Sequence, residues 1–395
     1  MIGSILKLVF ARLLPLLVAV LAIFLGWCNL DSTVAPCWEA RLFVFVIPLL
    51  KGVAPPIIVG HGKLGAKETP PVPADMVPQP RPDQELTITL AGSGDKMPQA
   101  GLGMCCRPTA YDHQSVERSV EWYLLLGGRH IDGAHMYLNH EAIGRGVASA
   151  IARGVPRSEI FLTTKVWPTQ FGYNTTKALV PTFLKELNVD YLDMVLMHAP
   201  VRRSSMFVPH ECKLAGLLYK QCRQETWKAL SELRAEGLIR NAGVSNFAKH
   251  HLSDIMELYD DDNDDSIIAP IANNQIQWNP WAPTEWVDTV HFCQSQGIAI
   301  TAYNSLGGSL EHHQAHTIEI LKTLSKKYNR SVAQIMLRWA IQSGVAIIPG
   351  TGNPNYMAEN LSIYEFELSE QDMTDIEGLR ESDHANKFTI MKPLD

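Results

Sequence analysis

Read along its hydrophobic and polar positions, the chain changes texture near residue 85. Beyond that point, stretches with apolar residues three and four apart alternate with short, nearly continuous apolar runs. The first kind predicts helices over residues 115–126, 140–153, 175–187, 225–236, 248–259, 284–296, 314–328 and 331–343. The second predicts strands over residues 101–103, 130–132, 160–165, 194–198, 239–245, 271–275, 298–303 and 345–349. Ahead of these, ELTITL reads as a strand, AGSGDKMP as a turn and GLGM as a second short strand, an N-terminal β-hairpin pattern. Strand–helix alternation means parallel pairing through right-handed crossovers. The fold class expected is α/β, a closed (β/α)8 TIM barrel. Residues 201–224 lack periodicity and read as a long loop of the functional kind.

Residues 1–84 have a different character. Lys7 and Arg12 precede the apolar run LLPLLVAVLAIFLGW, residues 13–27, and a second apolar run covers residues 42–50. The first run is short for a membrane span, which takes about 20 residues, and long for a signal-peptide core of about 7–15. It reads as a targeting segment, either cleaved or kept as an anchor. Basic residues before it and Asp31 and Glu39 after it favour a cytoplasmic amino terminus. One span would put the rest in a lumen; two would return it to the cytosol. PPVPADMVPQPRP, residues 70–82, reads as a linker. The division expected is therefore 1–84, targeting segment and linker, and 85–395, barrel.

Charge and cysteines narrow the function. The 34 Lys and Arg against 41 Asp and Glu leave a net charge of −7, without a dense basic stripe, which argues against nucleic acid as a partner. The 7 cysteines include no CxxC, so no zinc pattern is present, and their usage fits a reducing compartment. Cys212 and Cys222 are the reservation: they share the long loop and would pair in an oxidising compartment. HHQAH (312–316) and DDDNDD (260–265) read as solvated segments, the latter lacking the Gly and terminal Glu of a calcium loop.

Four residue types at strand ends carry the chemistry. In GRHIDGAHMY, residues 128–137, Asp132 closes one strand and Tyr137 follows on the loop; Lys165 ends the next strand and His198 the one after. Carboxyl ends of parallel barrel strands converge on one mouth. A phenol with pKa near 10 becomes an acid–base catalyst when a cation stabilises its anion, and a buried ammonium needs a carboxylate. Taken singly, Tyr137 would be a packing residue and Asp132–Lys165 a structural ion pair.

From residue 85 the chain resembles the aldo-keto reductases, through IDGAHMY, LTTKVW, LMHAP, GLIRNAGVSNF, NNQIQWNP, TAYNSLG and IIPGTGNP with AEN. The resemblance implies reduction of an aldehyde or ketone to an alcohol, with NADPH as cofactor in an extended pose and no Rossmann domain. GLGMCC does not satisfy GxGxxG, in agreement. It implies Tyr137 as general acid, Lys165 as the group that lowers its pKa, Asp132 as the lysine's partner and His198 as the group orienting the carbonyl. Ser245, Asn246 and Gln275 would hold the nicotinamide carboxamide, Tyr303 would stack on its ring, Asn304 and Leu306 would follow the pyrophosphate, and Thr351 and Asn360 would lie near the adenosine end. Trp167 and Cys105 would line the substrate pocket, the latter where many members have Trp. His140 and Gly128 stand where members often have Glu and an aromatic residue.

The cations that members carry around the last strand's loop are here Gly350 and Tyr356, and no Lys or Arg lies between residues 350 and 360. The expectation is weakened NADPH preference, with NADH accepted. Sequons occur at Asn174, Asn329 and Asn360. A glycan on the last would block the adenosine site, which places the catalytic part on the cytosolic side of an endomembrane or organelle. The protein would be a monomer with a small carbonyl substrate and no metal. A competing reading is a membrane-anchored dinucleotide sensor or scaffold without turnover.

Overall fold

A computed structural model describes residues 68–83, 85–200, 209–260, 267–307 and 315–381. The chain divides into two units, Met1–Val53 and Ala54–Asp395, and all described residues belong to the second. The apolar runs expected to meet a membrane lie outside the described residues, as do most of the acidic run, His312, His313 and residues 201–208.

A two-stranded antiparallel hairpin, β1 (Thr87–Thr89) with β2 (Lys96–Pro98), opens the fold. Its second strand falls inside the stretch read as a turn, whereas GLGM supplies the first barrel strand. The barrel strands are β3 (Leu102–Gly103), β4 (His130–Asp132), β5 (Phe161–Val166), β6 (Leu192–Met197), β7 (Ile239–Ser245), β8 (Asn273–Gln277), β9 (Ala299–Tyr303) and β10 (Ala346–Ile347). They pair in parallel in that order. A parallel bridge from Ala100 to Ile347 closes the sheet on itself, with hydrogen bonds from Gly101 N to the Ile347 carbonyl and from Gly103 N to the Pro349 carbonyl. Every residue of β5 and β6 is buried, because helices cover the outside and side chains fill the inside.

The alternation of side chains decides what enters the barrel. Phe161, Met194, Leu196, Ala299 and Ala346 form an apolar cluster with Leu90 and Met97 of the hairpin. Polar residues follow. Asn273 Nδ2 donates to Thr301 Oγ1 at 2.8 Å, and Asn241 Nδ2 donates to Asp95 Oδ2 at 2.9 Å. His130 is buried between the Pro98 carbonyl and Thr163 Oγ1, and burial holds its imidazole down at about 4. Two residues further along the same strands come Asp132 and Lys165, which puts both at the carboxyl ends.

The enclosing helices follow the predicted spacing, among them α1 (His113–Leu125) and α2 (His140–Ala152). Asp112 caps α1, accepting from Gln114 N and Ser115 N. The expected long loop is partly helical: residues 210–214 form a short helix, and the next helix starts at Tyr219 rather than 225. Cys212 and Cys222 join the two through a disulfide, the pairing their shared loop allowed, and Cys105 is bonded to Cys106, so these four cysteines are not the reduced thiols that the overall cysteine usage suggested. The proline-rich segment is not a free spacer. Thr69 is fully buried, Trp122 Nε1 donates to the Pro70 carbonyl at 2.9 Å, and Arg153 Nη2 donates to the Pro73 carbonyl at 2.7 Å.

Candidate active site

Asp132 and Lys165 meet at the mouth. Lys165 Nζ donates to Asp132 Oδ1 at 2.5 Å and to the Gly133 carbonyl at 2.8 Å, and neither side chain is accessible to water beyond a few per cent. Burial pushes the Lys165 amine below its ordinary value, and Asp132 opposes that by its charge and hydrogen bond. Gln275 Nε2 donates to the other carboxylate oxygen, Oδ2, at 2.7 Å. Both oxygens of the carboxylate are thus engaged, which fixes the ammonium in place.

Tyr137 ends a 3-10 turn, His135–Tyr137, that follows β4. Lys165 Nζ stands 5.3 Å from the centroid of its ring. His198 follows β6, and its ring stands edge-on to two others, Tyr137 at 5.7 Å and Trp167 at 5.0 Å between centroids. Asp132, Tyr137, Lys165, His198 and Trp167 therefore form one cluster. His140 lies behind it, with Nδ1 2.9 Å from Glu186 Oε2 and Nε2 2.7 Å from Thr164 Oγ1.

A second set of residues joins this cluster through hydrogen bonds. Ser245 Oγ donates to the Gln275 carbonyl at 2.8 Å. Asn246 takes a left-handed φ of 62°, and its Nδ2 donates to the His198 carbonyl at 2.9 Å. Its Oδ1 accepts from the Tyr303 hydroxyl at 2.7 Å, which pins that ring at the end of β9. Asn304 is also left-handed, at 57°, and its carbonyl accepts from Asn279 Nδ2 at 3.0 Å. Leu306 is half-buried against the core.

Thr351, Asn360 and Cys105 are not drawn into the cluster. Thr351 Oγ1 accepts from Asn353 N at 3.1 Å, ordering the turn before α10 (Pro354–Leu361), which carries Asn360. Cys105 is half-buried in the loop after β3. Sequence reasoning missed Arg107 in that same loop: a cation just past a strand end was legible, but its neighbours across the barrel seam were not.

The sequence model of the Aldo/keto reductase family matches residues 100–381, and the chain belongs to that family. It is 37% identical over 293 residues to an aldo-keto reductase of Mycolicibacterium smegmatis, covering 74% of this chain and 92% of that one. It is 34% identical over 295 residues to the glyoxal reductase of Bacillus subtilis, covering 74% and 92%. Among solved structures, a Bombyx mori aldo-keto reductase in complex with NADP superposes with a TM-score of 0.65 at 29% identity, covering 80% of this chain and all of that one. The protein is an oxidoreductase of this family, on a barrel of eight parallel strands.

Proposed function

We propose that the protein reduces an aldehyde or ketone to the alcohol with NADPH. The observation that carries this reading is the buried Lys165–Asp132 pair beside the Tyr137 ring. The ammonium favours the phenolate, which makes the hydroxyl a better acid. Two of the three N–H groups of Lys165 go to Asp132 and Gly133, which leaves one for the phenolic oxygen. Asp132 keeps the amine charged against the pull of burial. His198, between the Tyr137 and Trp167 rings, orients the carbonyl oxygen, and Tyr137 gives that oxygen its proton.

The residues fit the dinucleotide. Tyr303 offers a ring whose tilt is fixed by Asn246, and Ser245, Asn246 and Gln275 present amide and hydroxyl groups suited to a carboxamide. Asn304 and Leu306 would hold the pyrophosphate, and Thr351 and Asn360 the adenosine end. When bound, the reduced dinucleotide supplies the hydride. Trp167 and Cys105 would border the substrate, and likeness to a glyoxal reductase supports an aldehyde among the substrates.

The test is NADPH oxidation with a panel of aldehydes and ketones. Tyr137→Phe should lower kcat by a factor on the order of 100 to 10,000 while dinucleotide binding persists. Undiminished turnover in that variant would remove the proposal. Tight binding by the wild type without turnover across the panel would instead favour a sensor.

We infer further that residues 1–84 tether a monomeric barrel to a membrane through the apolar run at 13–27, which follows basic residues, and that the second run at 42–50 returns the barrel to the cytosolic side, where no glycan on Asn360 would block the adenosine site. The full chain should stay with the membrane pellet through alkaline carbonate extraction, and release into the supernatant would count against an anchor.

A further inference from the structure

Arg107 lies half-buried where the barrel closes. Its Nε donates to Thr109 Oγ1 at 3.1 Å, its Nη1 donates to the Gly103 carbonyl at 2.6 Å, and its Nη2 lies 3.9 Å from Met104 Sδ. None of these acceptors is charged, and among the described residues no carboxylate stands within ion-pairing distance. Burial pushes the guanidinium down to about 10, and no charge among the described residues offsets it. Withdrawing a cation from water costs free energy that neutral acceptors repay only in part.

The position of this cation is specific. A Cβ placed on Gly350 would meet Arg107 Nη1 at 3.2 Å and the Gly103 carbonyl at 3.1 Å. A Cβ on Gly352 would meet Thr109 Oγ1 at 3.2 Å. The 107–109 loop is therefore seated along the 350–352 segment, and Gly350 leaves the guanidinium in a place from which a Cβ would move it by a few tenths of an ångström. That segment leads into α10, whose first turn is ordered by Asn353 Oδ1 accepting from Asn355 N. The helix adds the positive end of its dipole to the same region. A planar guanidinium without a carboxylate is suited to a phosphate, which it can grip through two parallel hydrogen bonds.

We propose that Arg107, reaching from the loop after β3 to Gly350, is the cation that binds a phosphate of the dinucleotide. The last loop, which carries no Lys or Arg of its own between residues 350 and 360, borrows its charge across the seam. This rests on the reductase reading and revises one expectation drawn from sequence: the loss of cations from that loop does not leave the phosphate without one.

The experiment is titration of the purified full chain, followed by tryptophan fluorescence, with NADPH, NADH, 2′,5′-ADP and 5′-ADP, for wild type, Arg107→Leu and Arg107→Lys. Arg107→Leu should bind NADPH about ten- to a hundredfold more weakly, the loss of one or two charge-assisted hydrogen bonds. If NADPH and 2′,5′-ADP weaken while NADH and 5′-ADP do not, the phosphate is the 2′ one. If NADPH, NADH and 5′-ADP weaken while 2′,5′-ADP, which has no pyrophosphate, weakens less, it is the pyrophosphate; either pattern upholds the proposal. Arg107→Lys should recover part of the affinity. Unchanged binding in Arg107→Leu overturns the proposal. So does a loss that Arg107→Lys shares in full together with an equal drop in melting temperature, since that marks a residue that only holds its loop. A wild type that binds no dinucleotide at all is a different failure, and it removes the reductase reading itself.

Discussion

Lys165, fully buried, and Arg107, half-buried, are both cations near the strand ends, but among the described residues one carries a counter-charge and the other does not. Lys165 has Asp132 at 2.5 Å, and that carboxylate is itself held by Gln275. Arg107 has a carbonyl, a hydroxyl and a thioether. The difference separates two kinds of task. A paired cation stays in place through a reaction and adjusts the acidity of a neighbour. A cation surrounded by neutral acceptors keeps its capacity for an anion that arrives from outside.

The two should therefore fail differently when altered. The largest effect on stability is expected from Asp132→Asn. It leaves one acceptor where two donors converge and a buried ammonium without its anion, a loss on the order of 3–5 kcal/mol by urea unfolding. Dinucleotide affinity should change little by comparison. Arg107→Leu should show the reverse, since it strands no buried charge. If Asp132→Asn unfolded at the wild-type urea concentration, the division of labour between the two cations would collapse.

His130 sharpens the comparison, as a buried base that carries no charge at all. Its folded pKa of about 4 lies below the ordinary 6.5. Between those values the unfolded chain binds a proton that the folded one refuses. Its contribution to stability is thus complete above pH 6.5 and lost as pH falls through 4, about 3 kcal/mol in all. His130→Gln can still donate to the Pro98 carbonyl and accept from Thr163, and it should flatten that acid limb. An unaltered limb in the variant would assign the acid sensitivity to other groups.

Much of this was legible in the chain before folding, where the local pattern and the tertiary pattern agree. β4 and β7 begin and end where the apolar runs do. The apolar run puts β8 two residues early, because its inward side chains are Asn273, Gln275 and Gln277, and asparagine is a poor strand former by propensity. Pairing with β9, not the character of the run, sets its bounds. Two helices near the end are not predicted by the apolar spacing, although Asn353–Pro354 and the Ser369–Asp372 capping box announce them. The four groups of the cluster were readable because Asp132, Lys165 and His198 stand at or just past the ends of successive strands and Tyr137 follows the first of them. Arg107 was not, because its meaning depends on Gly350, which barrel closure brings to it from the far end of the sequence.

The segment before the hairpin has a practical consequence. Thr69 fills a space beside Ser115 and Ser119, Gln79 N donates to the Leu125 carbonyl at 2.7 Å, and Arg153 reaches the Pro73 carbonyl. Trimming the chain at the first strand would uncover Trp122 and leave the Arg153 guanidinium without its backbone acceptors. The smallest version that keeps α1 and α2 clothed begins before Thr69, well upstream of the first residue the family shares.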